Sequence, residues 1–151
     1  MTKWAYDDLT EGSVIALGSK TVLPDEIIEF AQEFDPQPMH LDEAAGRASI
    51  LGGLSASGWH TCAMFMRLLC DGFLLDSSSQ GSPGLEYVRW KGPVLAGDTL
   101  TGRSTVTGRR LSKSRPTVGL VTIRSELANQ RGETVLELEN TGMFLTREAL
   151  S

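Results

Sequence analysis

The segment from Ser57 to Phe73 constrains the fold of this chain most. Trp59, Cys62, Ala63, Met64, Phe65, Met66, Leu68, Leu69, Cys70 and Phe73 do not keep to one stripe of a helical projection. A helix that is apolar nearly all round is buried nearly all round, so other elements must wrap it. The C-terminal half of the chain supplies the wrapping. Leu85–Trp90 alternates with period two, and Leu100–Gly108, Val118–Ala128 and Thr134–Thr146 are long runs rich in Val, Thr, Ile and Leu. Asn129-Gln130-Arg131-Gly132 reads as a turn between the last two. Successive long strands with short connections predict an antiparallel sheet curling around one apolar helix, an α+β architecture.

The first part of the chain fits that frame. Residues 13–23 read as a strand that Gly18 interrupts. Pro24-Asp25-Glu26 reads as a helix start, with proline in the first turn and acids beside the positive end of the dipole. Ile27, Phe30, Ala31 and Phe34 give that helix one apolar face, and Asp35-Pro36 stops it. A shorter helix is expected from Leu41 to Ala48, and a loop from Asp76 to Gly84.

Composition bounds the function. With 151 residues the expectation is one domain over residues 1–151. A formal net charge of −5 argues against nucleic-acid binding, which uses a basic face. Cys62 and Cys70 fall eight residues apart on one helix, about 12 Å at the helical rise, too far for a disulfide. Two free thiols suit a reducing cytoplasm, and with only His40 and His60 besides they offer no metal-site spacing. No segment approaches the about 18 apolar residues of a membrane span, and residues 1–8 carry no signal pattern. The chain is therefore expected to be soluble and cytoplasmic, without membrane or nucleic-acid partners, cofactor or metal.

Asp35-Pro36-Gln37-Pro38-Met39-His40 is the strongest chemical feature. Two prolines stiffen the loop and hold a carboxylate and an imidazole in one relation, as acid–base chemistry requires. Apolar walls from Phe34 and Met39 would raise the carboxyl pKa and make Asp35 a better base. The plainer alternative is a helix-end carboxylate and a histidine that opens the next helix. At Ser57-Gly58 the apolar helix begins with unpaired backbone N–H groups and the positive dipole end behind them. That arrangement suits a carbonyl oxygen gaining negative charge, and Gly58 lets a ligand approach its backbone. A simple cap by Ser55 or Ser57 is the alternative. His60 is assigned to a substrate pocket or an interface and Trp59 to the core or a dimer contact, and both are kept with Ser57 and Gly58 as candidate substrate-binding residues. The run Arg109-Arg110-Leu111-Ser112-Lys113-Ser114-Arg115 is either a solvated hairpin or a phosphate dock, to which Arg89 and Lys91 could add. No Gly-x-Ser-x-Gly nucleophile motif and no phosphate-binding loop is present.

Asp35-x-Gln37-Pro38-x-His40 resembles the Asp-x-Asn-Pro-x-His signature of the MaoC-like (R)-specific enoyl-CoA hydratases. The run from Gly52 to Thr61 resembles that family's loop into its central helix, and Pro93-Val94-Leu95-Ala96-Gly97-Asp98 its Pro-Val-x-x-Gly-Asp turn. The likeness spans residues 10–147, with Gln37 in place of Asn, Gln32-Glu33-Phe34 ahead of Asp35, and Ser57 where many members have His. The resemblance implies a single hotdog domain, an antiparallel sheet wrapped around one long buried helix, paired as a homodimer. It implies an acyl-CoA thioester substrate, with Asp35 and His40 as the catalytic acid–base pair. It implies Gly58 as the N–H donor to the thioester oxygen, with Ser57 lining the same site. Hydration of a trans-2-enoyl-CoA is the expected reaction. A hotdog thioesterase and a non-catalytic acyl-CoA-binding module are the alternatives.

Overall fold

The computed structural model describes residues 2–151. Its sheet contains β1 (Val14–Thr21), β2 (Leu85–Trp90), β3 (Thr99–Leu111), β4 (Val118–Ala128) and β5 (Thr134–Leu145), all antiparallel, in the order β1-β3-β4-β5-β2. The helices are α1 (Pro24–Phe34), α2 (Glu43–Ala48) and α3 (Gly58–Gly72). This is the five-stranded hotdog arrangement with a central helix that the sequence predicts. Gly18 interrupts β1 as expected: its φ of +88°, which L side chains rarely adopt, coincides with a register shift against β3 between Ala16 and Gly18.

The core lies between α3 and one face of the sheet. Met64, Phe65, Leu68 and Leu69 of α3 meet Leu100 and Val106 of β3 and Val121, Ile123 and Leu127 of β4 in a single buried cluster. Within each strand these residues are spaced by even numbers of positions, so one face of the sheet carries them all. That geometry also explains a difference from the sequence reading. One sheet covers one side of a helix, and the opposite side of α3 stays open: Trp59 and Met66 are exposed, and Cys62 and Cys70 are half-buried. The start of this open stripe lies beside the edge strand β2, where Trp59 meets Trp90.

A small ladder holds the approach to α3. Ala56 N–H donates to the Val94 carbonyl at 2.8 Å, and Ala96 N–H to that of Leu54 at 3.0 Å. The 93–99 turn beneath it is fixed by the buried carboxylate of Asp98. Its two oxygens accept from Leu95 N–H at 3.0 Å and from the Gln130 amide at 2.9 Å. The Gly-Asp turn is thus a structural clamp for the segment that leads into α3. Among the described residues no helix is long and apolar enough to cross a membrane.

Candidate active site

Asp35 closes α1, its N–H donating to the Ala31 carbonyl at 2.9 Å, and Pro36 prevents the helix from continuing. Pro38–His40 then forms a single 3-10 turn rather than the start of the next helix; Asp42 caps α2 instead, accepting from Ala45 N–H at 2.9 Å. The turn carries the His40 ring inward to 5% exposure. There its Nδ1 lies 2.7 Å from the Ser55 carbonyl oxygen. A carbonyl only accepts, so this contact assigns the proton to Nδ1 and leaves Nε2 of the neutral ring as an open acceptor. Nε2 faces Asp35 Oδ2 at 3.5 Å. Two acceptors therefore point at one region of space from either side of the turn.

Ser57 joins this pair to α3. Its hydroxyl donates to Asp35 Oδ2 at 2.6 Å and accepts from Trp59 N–H at 3.3 Å, so one side chain caps the helix and holds the carboxylate. Gln37 donates to the other carboxylate oxygen at 2.8 Å. The Gly58 N–H makes no hydrogen bond among the described residues, at the positive end of a 15-residue helix. Asp35, His40 and Gly58 all line one cavity of about 410 Å³, together with Trp59, Trp90 and Lys91.

Two expectations about these side chains are corrected. Phe34 is 65% exposed and packs on Phe30 rather than forming a wall over Asp35. The Asp35 carboxyl is accordingly not pushed up. The Ser57 hydroxyl first, and the Gln37 amide second, hold it below its ordinary value; burial opposes them, and His40 adds a further downward pull. Ionised Asp35 thus contributes stability that is full above its unfolded value of about 3.9 and is lost as pH falls through the lower folded value. Removing the main donor tests this. In Ser57→Ala, a carbon-13 NMR titration of the Asp35 carboxyl should show its midpoint rising toward the ordinary aspartate range. An unchanged midpoint would mean that Ser57 does not hold the charge.

His60 does not reach the cavity. Its ring stacks on Phe30 of α1 with centroids 4.8 Å apart, and burial lowers its pKa. It packs α1 against α3, with Nδ1 buried and unpaired among the described residues. Trp59 does line the cavity, edge-on to Trp90 at 5.3 Å. The basic run begins near the other end of β3, about 33 Å along the strand from the 93–99 turn, where Arg109 donates to the Tyr6 carbonyl and stacks on that ring. Of the cations singled out in the sequence, Lys91 lines the cavity, while Arg89 faces Glu137 at 3.7 Å. Sequence reasoning assigns no role to Trp90, nor to Ser55 as the residue that orients His40. Both depend on contacts between segments far apart in the chain.

A hotdog sheet around one helix, with an aspartate and a histidine meeting at the start of that helix, defines the class of protein. The family model for the MaoC like domain matches residues 9–128, and the chain belongs to the MaoC-like family. The MaoC-like dehydratase from Rhodospirillum rubrum superposes with a TM-score of 0.88 at 41% identity, over 95% of this chain and 97% of that one. The (R)-hydratase from A. caviae involved in PHA biosynthesis superposes with a TM-score of 0.72 at 26% identity, over 91% of this chain and 97% of that one. The uncharacterized protein YdeM of Bacillus subtilis (strain 168) is 32% identical over 134 residues, which are 88% of this chain and 93% of that protein. Family and neighbours together support a hydratase or dehydratase activity.

Proposed function

We propose that this chain adds water reversibly across the double bond of a trans-2-enoyl-CoA, giving a 3-hydroxyacyl-CoA. The observation that carries this reading is the pair of acceptors, Asp35 Oδ2 and His40 Nε2, 3.5 Å apart and lining the same cavity as Gly58 at the start of α3. A water donating one hydrogen to each would present its lone pair to a third partner, the β-carbon of the enoyl group. As the C–O bond forms, one proton passes from the water to the Asp35–His40 pair, and negative charge moves onto the thioester oxygen. The Gly58 N–H and the dipole of α3 stabilise that charge. The pair then returns a proton to the α-carbon, so that one H and one OH have been added. The Ser57 and Gln37 donors hold the Asp35 carboxyl below its ordinary value, so Asp35 supplies the negative charge of the pair.

The test is a panel of short, branched and long enoyl-CoAs, followed by enoyl absorbance and by free thiol together. Loss of absorbance without thiol supports hydration. Thiol release from acyl-CoA would point to a thioesterase, and tight binding without turnover to a binding module.

A homodimer belongs to the same proposal. The exposed stripe of Trp59 and Met66 on α3, which begins beside the edge strand β2, supports a second copy as its cover. Met66→Glu should then shift the sedimentation coefficient from that of a dimer toward that of a monomer; a variant that sediments like the wild type would remove α3 from the interface.

A further inference from the structure

We propose that Trp90 is the positioning and specificity residue of this site. It clamps the first peptide of α3 and forms the rigid wall that limits the cavity to short acyl chains. The inference rests on the hydratase reading above and adds to it the class of acyl group.

Trp90 is the last residue of β2, where it pairs with Leu136 of β5, and the next residue, Lys91, bonds back to the Val135 carbonyl at 2.8 Å. The backbone beneath the indole is therefore fixed. The indole Nε1–H donates to the Gly58 carbonyl at 2.8 Å. The N–H of that same peptide, which belongs to Trp59, is bound by the Ser57 hydroxyl at 3.3 Å. The peptide that joins Gly58 to Trp59 is thus held at both ends, one by a strand and one by the residue that also holds Asp35. The orientation of the helix start is set by those two contacts. The free N–H of Gly58 shares the same Cα and inherits it.

The contact is also close enough to dictate the residue beneath it. A Cβ on Gly58 would lie 2.7 Å from Trp90 Cε2 and 2.8 Å from Nε1. The indole occupies the space that any larger residue would take. Trp59 braces it edge-on at 5.3 Å, yet Trp90 remains 44% exposed, because its other side faces the cavity. A large flat ring, hydrogen-bonded and braced, makes a wall that does not yield as a flexible side chain would. Met39, Leu51 and Val94 also line the cavity. Its volume of about 410 Å³ lies at the low end of small-molecule sites. On the proposed reading, an acyl chain that extends from the thioester toward β2 meets the ring once it is long enough, and a short one does not.

Two substitutions separate the two roles. Trp90→Ala removes the wall. The ratio of kcat/KM for an eight-carbon over a four-carbon enoyl-CoA should rise at least tenfold, roughly the scale on which added methylenes are discriminated. Trp90→Phe keeps the wall and loses the N–H. It should retain the wild-type chain-length profile while kcat falls more than KM changes. A folded Trp90→Ala with the wild-type profile would overturn the wall, and a Trp90→Phe with wild-type kcat would overturn the clamp. Stability gives a readout independent of turnover. Gly58→Ala should lower the melting temperature by several degrees in the wild-type background and by less in Trp90→Ala, whereas equal losses would overturn the close contact. If the wild type hydrates no enoyl-CoA, the catalytic reading fails by itself. Quenching of tryptophan fluorescence by saturated acyl-CoAs of graded length then reads the wall: a length cutoff that Trp90→Ala abolishes supports it, and one that it leaves in place overturns it.

Discussion

Replacing Asp35 by asparagine is expected to lower kcat for enoyl-CoA hydration a hundredfold or more in a folded protein. The amide keeps the shape of the side chain but carries no charge and accepts no proton, and positioned proton transfer contributes about a hundredfold to ten-thousandfold. Ser57 can still donate to the remaining oxygen, and the loop between Pro36 and Pro38 is unaltered, so the fold should survive. His40→Ala should give a loss of the same order by a different route. It removes Nε2, the acceptor beside Asp35 Oδ2, and leaves the Ser55 carbonyl without its N–H donor. On the proposed mechanism the two groups act as one unit, so the double variant should be little worse than either single one. Steady-state kinetics with a matched circular dichroism spectrum checks all three. Near-wild-type turnover in either single variant would remove that residue from the chemistry.

The second large effect is expected at Gly58. Alanine there requires the Trp90 indole to move, since contacts of 2.7 Å and 2.8 Å are shorter than real Cβ atoms show. Moving the ring breaks its bond to the Gly58 carbonyl and unfastens the peptide that sets the helix start. Overpacking of this kind costs about 1–3 kcal/mol of stability. Hydration should suffer more than stability alone accounts for, because the N–H donor and the water site depend on that helix start. A fall in kcat/KM of about a hundredfold is expected, the scale of losing one donor to a developing oxyanion. Gly53→Ala is the matched control. The nearest atom to its Cβ would be on the Leu95 side chain, at an ordinary 3.6 Å, so it should leave kcat/KM close to that of the wild type. Equal behaviour of the two variants would show that the backbone at Gly58 has no special place.

Much of the fold and half of the site are legible in the sequence, and the rest is hidden for physical reasons. The β3, β4 and β5 strands and the α3 helix announce themselves because their side-chain periods follow from backbone geometry alone. Asp35 and His40 are five residues apart on a loop with two prolines, so their meeting is a local matter. Ser57 and Ser55 are not local to them. Ser57 reaches Asp35 across 22 positions and Ser55 reaches His40 across 15, and only the folded chain joins them. The sign of the Asp35 shift is hidden for that reason: its neighbours in sequence suggest burial, while the strongest donor comes from the approach to α3. Phe34 is a similar case. Its helical spacing fits the apolar face of α1, but it occupies the last position of that helix and faces outward beside Phe30. His60 resembles a pocket residue because it sits in the first turn of α3; the helix rotation instead turns it onto Phe30. Trp90 can be placed only once β2 is known to lie at the sheet edge beside the start of α3.

The most direct test of the proposal that Asp35 and His40 act together on water is the product formed from a short trans-2-enoyl-CoA in deuterated water, read by proton NMR. The account predicts a 3-hydroxyacyl-CoA with its thioester intact and one deuterium at the α-carbon, and no such product with Asp35→Asn on the same timescale. A free carboxylic acid and CoA thiol, or equal product from the variant, would contradict it.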